Sequence, residues 1–285
     1  MFKKVLRKRA KVDYEEADIP DIKSTSYWEK ETSTLFKINT IDCSMEEMFN
    51  KNNILLDEET KKLLLPEWLD EDWLLKVDLD ELNIADGRIK TLLGKIQYVV
   101  KAQRPRKEFY VDGYMSTFLP LLGFDTYPLY MYPQYEYSAD IFDEQHVVAK
   151  LDFGILSKEQ KLVIVTEDKT VINATYSNNW KEDQILGELF VAVHDTVKNY
   201  KDVTYPINIF AIRVVGTLFT FFKTIVGEDY VMETLKGYPK NSSMEVQRHP
   251  TVINKPYLTA YDVCNISDRE NILKCMLSIK NFLRN

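Results

Sequence analysis

The stretch 162–166, LVIVT, is a run of five apolar or β-branched residues that passes directly into Glu167, Asp168 and Lys169. Such a run fits a central strand covered on both faces and bounded by a polar end. Side chains alternate along a strand, so Glu167 and Lys169 project to one face and Asp168 to the other. A carboxylate and an amine thus share one face where the strand ends.

The segment 146–156 reads as the preceding strand, and within it Asp152 stands between Leu151 and Phe153. If the two strands pair through a turn at 157–160, Asp152 comes near Glu167. Two carboxylates at the end of an apolar sheet repel each other and raise one pKa unless a cation lies between them. Mg²⁺ or Mn²⁺ suits such a site, because these hard cations take a few carboxylate oxygens and keep positions for water and phosphate oxygen. The chemistry that follows is metal-assisted phosphodiester hydrolysis. Asp152 and Glu167 hold the metal, and Lys169 orients the nucleophile or offsets charge on the phosphate. The plainer reading makes the triplet a polar strand end with an Asp152–Lys169 salt bridge, and on the triplet alone that reading is preferred.

The next helix shifts the balance. In the segment 180–195, WKEDQILGELFVAVHD, Gln184 and Glu188 lie four residues apart on one helical face, beside Ile185, Leu189 and Ala192. There they can reach over the end of the sheet, or they can cap backbone or pair with each other.

Around this centre the pattern alternates. A helix is expected over 106–122, closed by Gly123, and an aromatic-rich extended segment over 127–137. The two strands follow, then a helix over 180–200 and one or two strands over 207–226, bent or paired near Gly216. This is an α/β arrangement. The run IFAIRVVGTLFTFFKTIV contains Arg213 and Lys223 and reads as buried strands, not as a membrane span.

The succession AKLDFG, VIVTEDK, a helix with Gln-Ile-x-Gly-Glu-Leu, and FAIRVVGTLFTFFK resembles the PD-(D/E)XK nuclease-like domain of many fungal proteins, including Crinkler-type effectors and related toxins. It spans about 106–285, with SDRENILKCMLSIKNFL as a closing helix. The resemblance implies a restriction-endonuclease-like αβββαβ core with a central mixed sheet flanked by helices. It also implies an acid on the first helix that joins the metal site. Glu108 matches that acid best, with Asp112 as competitor, so the metal set becomes Glu108, Asp152, Glu167 and Asp168. Catalytic roles fall on Asp152, Glu167, Lys169, Gln184 and Glu188. DNA ahead of RNA as substrate comes from the resemblance alone. Leu151 stands where the name motif has proline.

Ahead of this domain, expected over 105–285, lie a basic and polar arm over 1–44 and a mostly helical extension over 45–104. The first eleven residues hold six basic side chains and no acid, and they read as a disordered arm, a nuclear address or a phosphate-binding tail. The extension opens with a capping box, Ser44 and Glu47, and further helices are expected over 57–65 and 78–101. Between these, PEWLDEDWLLKVDLDEL is an amphipathic stretch with a solvated acidic face or a surface for a protein partner. No Crinkler-like header is visible in it.

At 285 residues the chain has room for one large domain, or for a catalytic domain with an extension. A net charge of −7 argues against a protein that merely coats nucleic acid, but a metal cleft concentrates carboxylates anyway. Cys43, Cys264 and Cys275 have no zinc-ligand spacing and, with no apolar signal peptide in view, read as free thiols of a reducing, intracellular compartment. None of His146, His194 and His249 stands in catalytic spacing, and no GxSxG, GxGxxG or GxxxxGK[ST] motif occurs. The alternative to a nuclease is a nuclease-like fold that serves as an effector or as a protein- or nucleic-acid-binding module.

Overall fold

A computed structural model describes residues 22–50, 54–65, 70–101, 108–142, 145–158, 162–168, 182–200, 202–251, 253–254 and 258–284. Residues 108, 162–168, 253 and 254 are described by their backbone alone. The N-terminal part contributes α1 (Lys30–Leu35), β1 (Ile38–Asp42), α2 (Met45–Phe49), α3 (Glu58–Lys61), α4 (Glu71–Lys76) and α5 (Gly87–Lys101). Then come α6 (Glu108–Leu121), β2 (Leu129–Pro133), β3 (Glu136–Ile141), β4 (Gln145–Lys150), β5 (Phe153–Ser157), β6 (Leu162–Asp168) and α7 (Glu182–Asn199). The chain continues through β7 (Ile207–Val215), β8 (Leu218–Val226), α8 (Glu228–Thr234), β9 (Met244–His249), β10 (Ile253–Asn254), β11 (Leu258–Thr259) and β12 (Tyr261–Asp262), and ends in α9 (Ile266–Arg284).

The protein is mixed α/β, with a mixed central sheet flanked by helices. Among the described residues the main sheet has eight strands in the order β1-β9-β8-β7-β6-β5-β2, and β12 pairs with β8 beyond the end of β9. The β1–β9 and β6–β7 pairs are parallel, whereas β2–β5, β5–β6, β7–β8 and β8–β9 are antiparallel. The expected break at Gly216 is a two-residue hairpin turn between β7 and β8, where Gly216 has φ +62 and so occupies a region that suits glycine.

β7 is mostly apolar, Asn208 and Arg213 apart, because both of its faces are covered. Phe210, Ile212 and Val214 belong to a core shared with Leu93 and Ile96 of α5, Met115 and Phe118 of α6, and Ile272 and Met276 of α9. Ile209 and Ala211 belong to a second core with Ile185, Leu189 and Phe190 of α7. Alternation on one strand therefore feeds two helical layers.

Four expectations need correction. Residues 22–44 are not all arm: Trp28 and Phe36 are buried, and β1 pairs with β9 at the edge of the main sheet. The Trp28 ring lies where a Cβ on Gly187 would stand, within 2.7 Å, so α7 needs glycine there to receive it. The helix expected over 78–101 begins only at Gly87, more than two turns later, where Asp86 accepts from the Arg88 amide and marks the start; Leu79–Glu81 form a separate short 3-10 turn. The strand expected over 146–156 is two strands in two sheets. β3 and β4 form their own hairpin against α7, whereas β2 and β5 lie in the main sheet. One register runs through both halves, and the bend falls at Gln134 (φ +53), whose amide donates to the Asp152 carbonyl at 2.8 Å. The extended segment expected over 127–137 divides at the same bend, into β2 and β3.

Candidate metal centre at one end of the sheet

The direction of each strand decides which candidate residues can meet. β5 is antiparallel to β6 with Phe153 opposite Val165, so Asp152, just before β5, lies at the end of the sheet where β6 finishes. α7 connects two parallel strands, so it starts at that same end and returns to the beginning of β7. The N-terminal end of α6 lies there too. Its Tyr114 hydroxyl donates to the Gly216 carbonyl at 3.0 Å beyond the end of β7, while its C-terminus leads to Leu129, paired with Ser157 at the far end of β5. Asp152, the backbone of Glu167 and Asp168, the first turn of α6 and the first turns of α7 are thus gathered at one end.

Register refines the placement of the two acids. Glu167 pairs with Val214, which belongs to the core beneath α5, α6 and α9, and Asp168 pairs with Val215, which packs in a separate small cluster. Asp152 is half-buried and sits at the bend between β4 and β5, where the chain passes from one sheet to the other. Glu108 opens α6. Asp112 follows one turn later and is half-buried. Lys169 falls outside the described residues, as do the side chains of Glu108, Glu167 and Asp168.

On α7, Gln184 and Glu188 lie on one face as expected, and they do pair: Gln184 Nε2 donates to Glu188 Oε1 at 3.0 Å. Glu188 is fully buried, and its backbone carbonyl accepts from the Tyr137 hydroxyl of β3 at 2.8 Å. Burial first, then the charges of Glu188 and Asp195, hold the Tyr137 hydroxyl well above its ordinary pKa. Among the described residues no group of three His, Cys, Asp or Glu side chains is placed to hold a metal ion.

The sequence did not reveal what holds the start of α7. Glu182, almost fully buried, accepts from Arg248 Nη1 at 2.7 Å, and Arg248 Nε donates to Asp42 Oδ1 at 2.7 Å. Burial works to lower the Arg248 pKa, but the hydrogen bonds and charges of Asp42 and Glu182 outweigh it, and the net shift is upward. Asp183 accepts from the Ser33 hydroxyl of α1 at 2.8 Å. Two strands and a helix from both chain ends therefore fix the first turn of α7, and with it Gln184 and Glu188. The only sequence signal was the pair of acids in that first turn.

Arg213 is the second missed residue. It is 1% exposed on β7, pairs in register with Thr166 one step before Glu167, and donates from Nη2 to Thr220 Oγ1 at 3.4 Å. Its guanidinium carbon lies 5.3 Å from the centre of the Phe222 ring. A cation thus sits deep in the sheet near the acid-bearing strand end. The charge of Arg213 inside an apolar strand was visible, but not its neighbourhood.

The three cysteines and His194 behave as core. Cys43, Cys264 and Cys275 are free and buried, and burial raises all three thiols, which leaves them protonated. His194 is buried with Nε2 3.0 Å from Thr234 Oγ1, and burial lowers its pKa from 6.5 to about 4. No described helix is long and apolar enough to cross a membrane. Compared with known proteins, the chain matches no family model and no curated protein.

Proposed function

We propose that the chain is a Mg²⁺- or Mn²⁺-dependent endonuclease of the PD-(D/E)XK type that hydrolyses phosphodiester bonds, with DNA ahead of RNA as substrate by family resemblance. One observation carries the reading: the start of β5 with Asp152, the end of β6 with Glu167 and Asp168, and the starts of α6 and α7 converge on one end of a mixed sheet. With the separate β3–β4 hairpin left aside, the succession α6, β2, β5, β6, α7, β7 follows the helix, three strands, helix, strand order expected of a restriction-endonuclease-like core, which supports the reading.

The donor set consists of carboxylates, which suits a hard divalent cation. Asp152 and Glu167 would hold it, with Glu108 and Asp168 as further oxygen donors. When bound, the ion supplies Lewis-acid polarisation of the phosphate and a water of lowered pKa. Lys169 orients that water and offsets charge on the phosphate oxygens. Gln184 keeps the Glu188 carboxylate in a fixed place at the head of α7.

Supercoiled plasmid incubated with Mg²⁺ or Mn²⁺ should be nicked, and chelator should stop the reaction. Asp152→Asn and Glu167→Gln should each slow nicking at least about a hundredfold, since even outer partners of a metal ligand act on a scale of 10 to 100. Absence of metal-dependent cleavage on plasmid, single-stranded DNA and RNA alike would reject the enzyme and leave the binding-module alternative.

A further inference from the structure

The path of the main sheet ends in two edge strands, β1 and β2, and their outer rims differ. On β2, the Lys158 amide donates to the Pro128 carbonyl and the Gln134 amide to the Asp152 carbonyl, so the backbone groups of Leu129, Met131 and Pro133 point away from β5. That rim offers no open donor. The Leu129 amide donates to the Thr126 carbonyl at 3.0 Å and the Met131 amide to Asp125 Oδ1 at 3.2 Å, and Pro133 has no N–H. On β1, the Met244 amide donates to the Lys37 carbonyl and the Cys43 amide to the Arg248 carbonyl, so Asn39 and Ile41 face β9 through their backbone while Ile38, Thr40 and Asp42 point theirs away. Among the described residues, none of these three amides or their carbonyls has a partner.

An open rim is a template for one more strand, and the side chains decide which strand fits. The segment 37–42, KINTID, carries a cation at one end and a carboxylate at the other. Lys37 is exposed and donates to a neutral acceptor, the Lys240 carbonyl, so its charge is not cancelled there. Asp42 shares Arg248 with Glu182, and one guanidinium between two carboxylates leaves that end net negative. An antiparallel copy of the same strand complements this polarity, because it brings Lys37 beside Asp42 of the other copy; a parallel copy would set like charge on like. Glu245, exposed beside Asn39, belongs to β9 and stays one strand away from such a junction. Ile41, 44% exposed, has no apolar cover of its own at the rim.

We propose that β1 pairs antiparallel with β1 of a second copy of this chain, about a twofold axis at Thr40, and joins the two main sheets into one. Thr40 then faces Thr40, and Ile38 faces Asp42 of the other copy, which uses all three outward residues in about six main-chain hydrogen bonds. Asn39 of each copy stands opposite Ile41 of the other, and the two Ile41 side chains become diagonal neighbours roughly 7–8 Å apart on one face. The junction is small, and the charge of −7 on each chain opposes it, so the dimer is a weak one. The pairing is independent of the nuclease reading.

The test is sedimentation equilibrium of the full chain up to about 100 µM, a range suited to weak associations, with amide hydrogen exchange at both ends of it. The weight-average mass of wild type should rise from that of one chain, 33.5 kDa, toward twice that value. The Thr40 amide has no partner within the chain, so its protection should rise with concentration as well. Thr40→Pro removes that outward N–H and leaves the β1–β9 bonds in place, so it should stay at the mass of one chain with thermal unfolding close to wild type. Ile41→Lys, which keeps every backbone bond, should weaken association, and Tyr132→Lys on the closed β2 rim should leave it unchanged. A wild type that remains a single chain throughout, a dimer in which the Thr40 amide stays unprotected, or an Ile41→Lys variant that associates like wild type would each overturn the proposal. A monomer with an exchanging Thr40 amide would leave the β1 rim to a strand from a different protein.

Discussion

The two ends of α7 bury polar groups in opposite ways. At its start, Glu182, Asp183 and Glu188 are buried and tied to Arg248, Ser33 and Gln184. Toward its other end, His194 is buried against Phe190 and Thr234 with its pKa lowered to about 4. The first solution pairs one carboxylate with an arginine and gives each of the other two a hydrogen-bond donor; the second keeps the ring neutral. A core can use the second solution anywhere. Holding the Glu182 charge in place takes partners from distant segments, Arg248 of β9 and through it Asp42 of β1.

The largest stability effect should come from breaking the paired end. Arg248→Ala leaves Glu182 buried with its partner removed and should cost about 3 kcal/mol in chemical denaturation, with part of the loss recovered in Arg248→Met combined with Glu182→Leu. If Arg248→Ala is neutral, the pairing does not hold α7.

The neutral end answers to pH. An unfolded histidine titrates near 6.5 and His194 near 4, so as pH falls the unfolded chain takes up the proton first. Its contribution is complete above about 6.5 and is lost between 6.5 and about 4, by about 3 kcal/mol in all. His249, also lowered by burial, adds in the same direction. His194→Gln should flatten the stability profile across that window, and an unchanged slope would assign the pH dependence elsewhere.

A smaller effect should follow from Gly187→Ala, whose methyl would meet the Trp28 ring. About 1–3 kcal/mol should be lost and α1 should loosen in hydrogen exchange. Full stability would mean that Trp28 yields at no cost.

Much of the fold was legible because its signals are local. β6 and β7 are carried by largely apolar runs, Gly216 marks the turn of the β7–β8 hairpin, and the Ser44–Glu47 capping box forms as spelled, with the Glu47 amide donating to Ser44 Oγ at 3.2 Å. What failed depends on distant partners. The strand INTID buries one residue well and pairs with β9 some two hundred positions away, so nothing near it marks it as part of a sheet. The bend at Asp152 comes from Gln134 and from Tyr135, whose ring fills the space that Gly154 leaves open, and neither is adjacent in sequence. At the candidate site, Gln184 and Glu188 could be read from helical spacing. Arg213 and Arg248 could not, because an arginine reveals its use only when the strands beside it are known.

The most direct measurement is calorimetric titration of Mn²⁺ into the wild-type protein, Asp152→Ala and Glu167→Ala at neutral pH. We expect binding that is lost or greatly weakened in both variants while their thermal unfolding stays close to wild type. Metal binding of the same strength in all three, or none in the folded wild type, would contradict a cation held between the start of β5 and the end of β6.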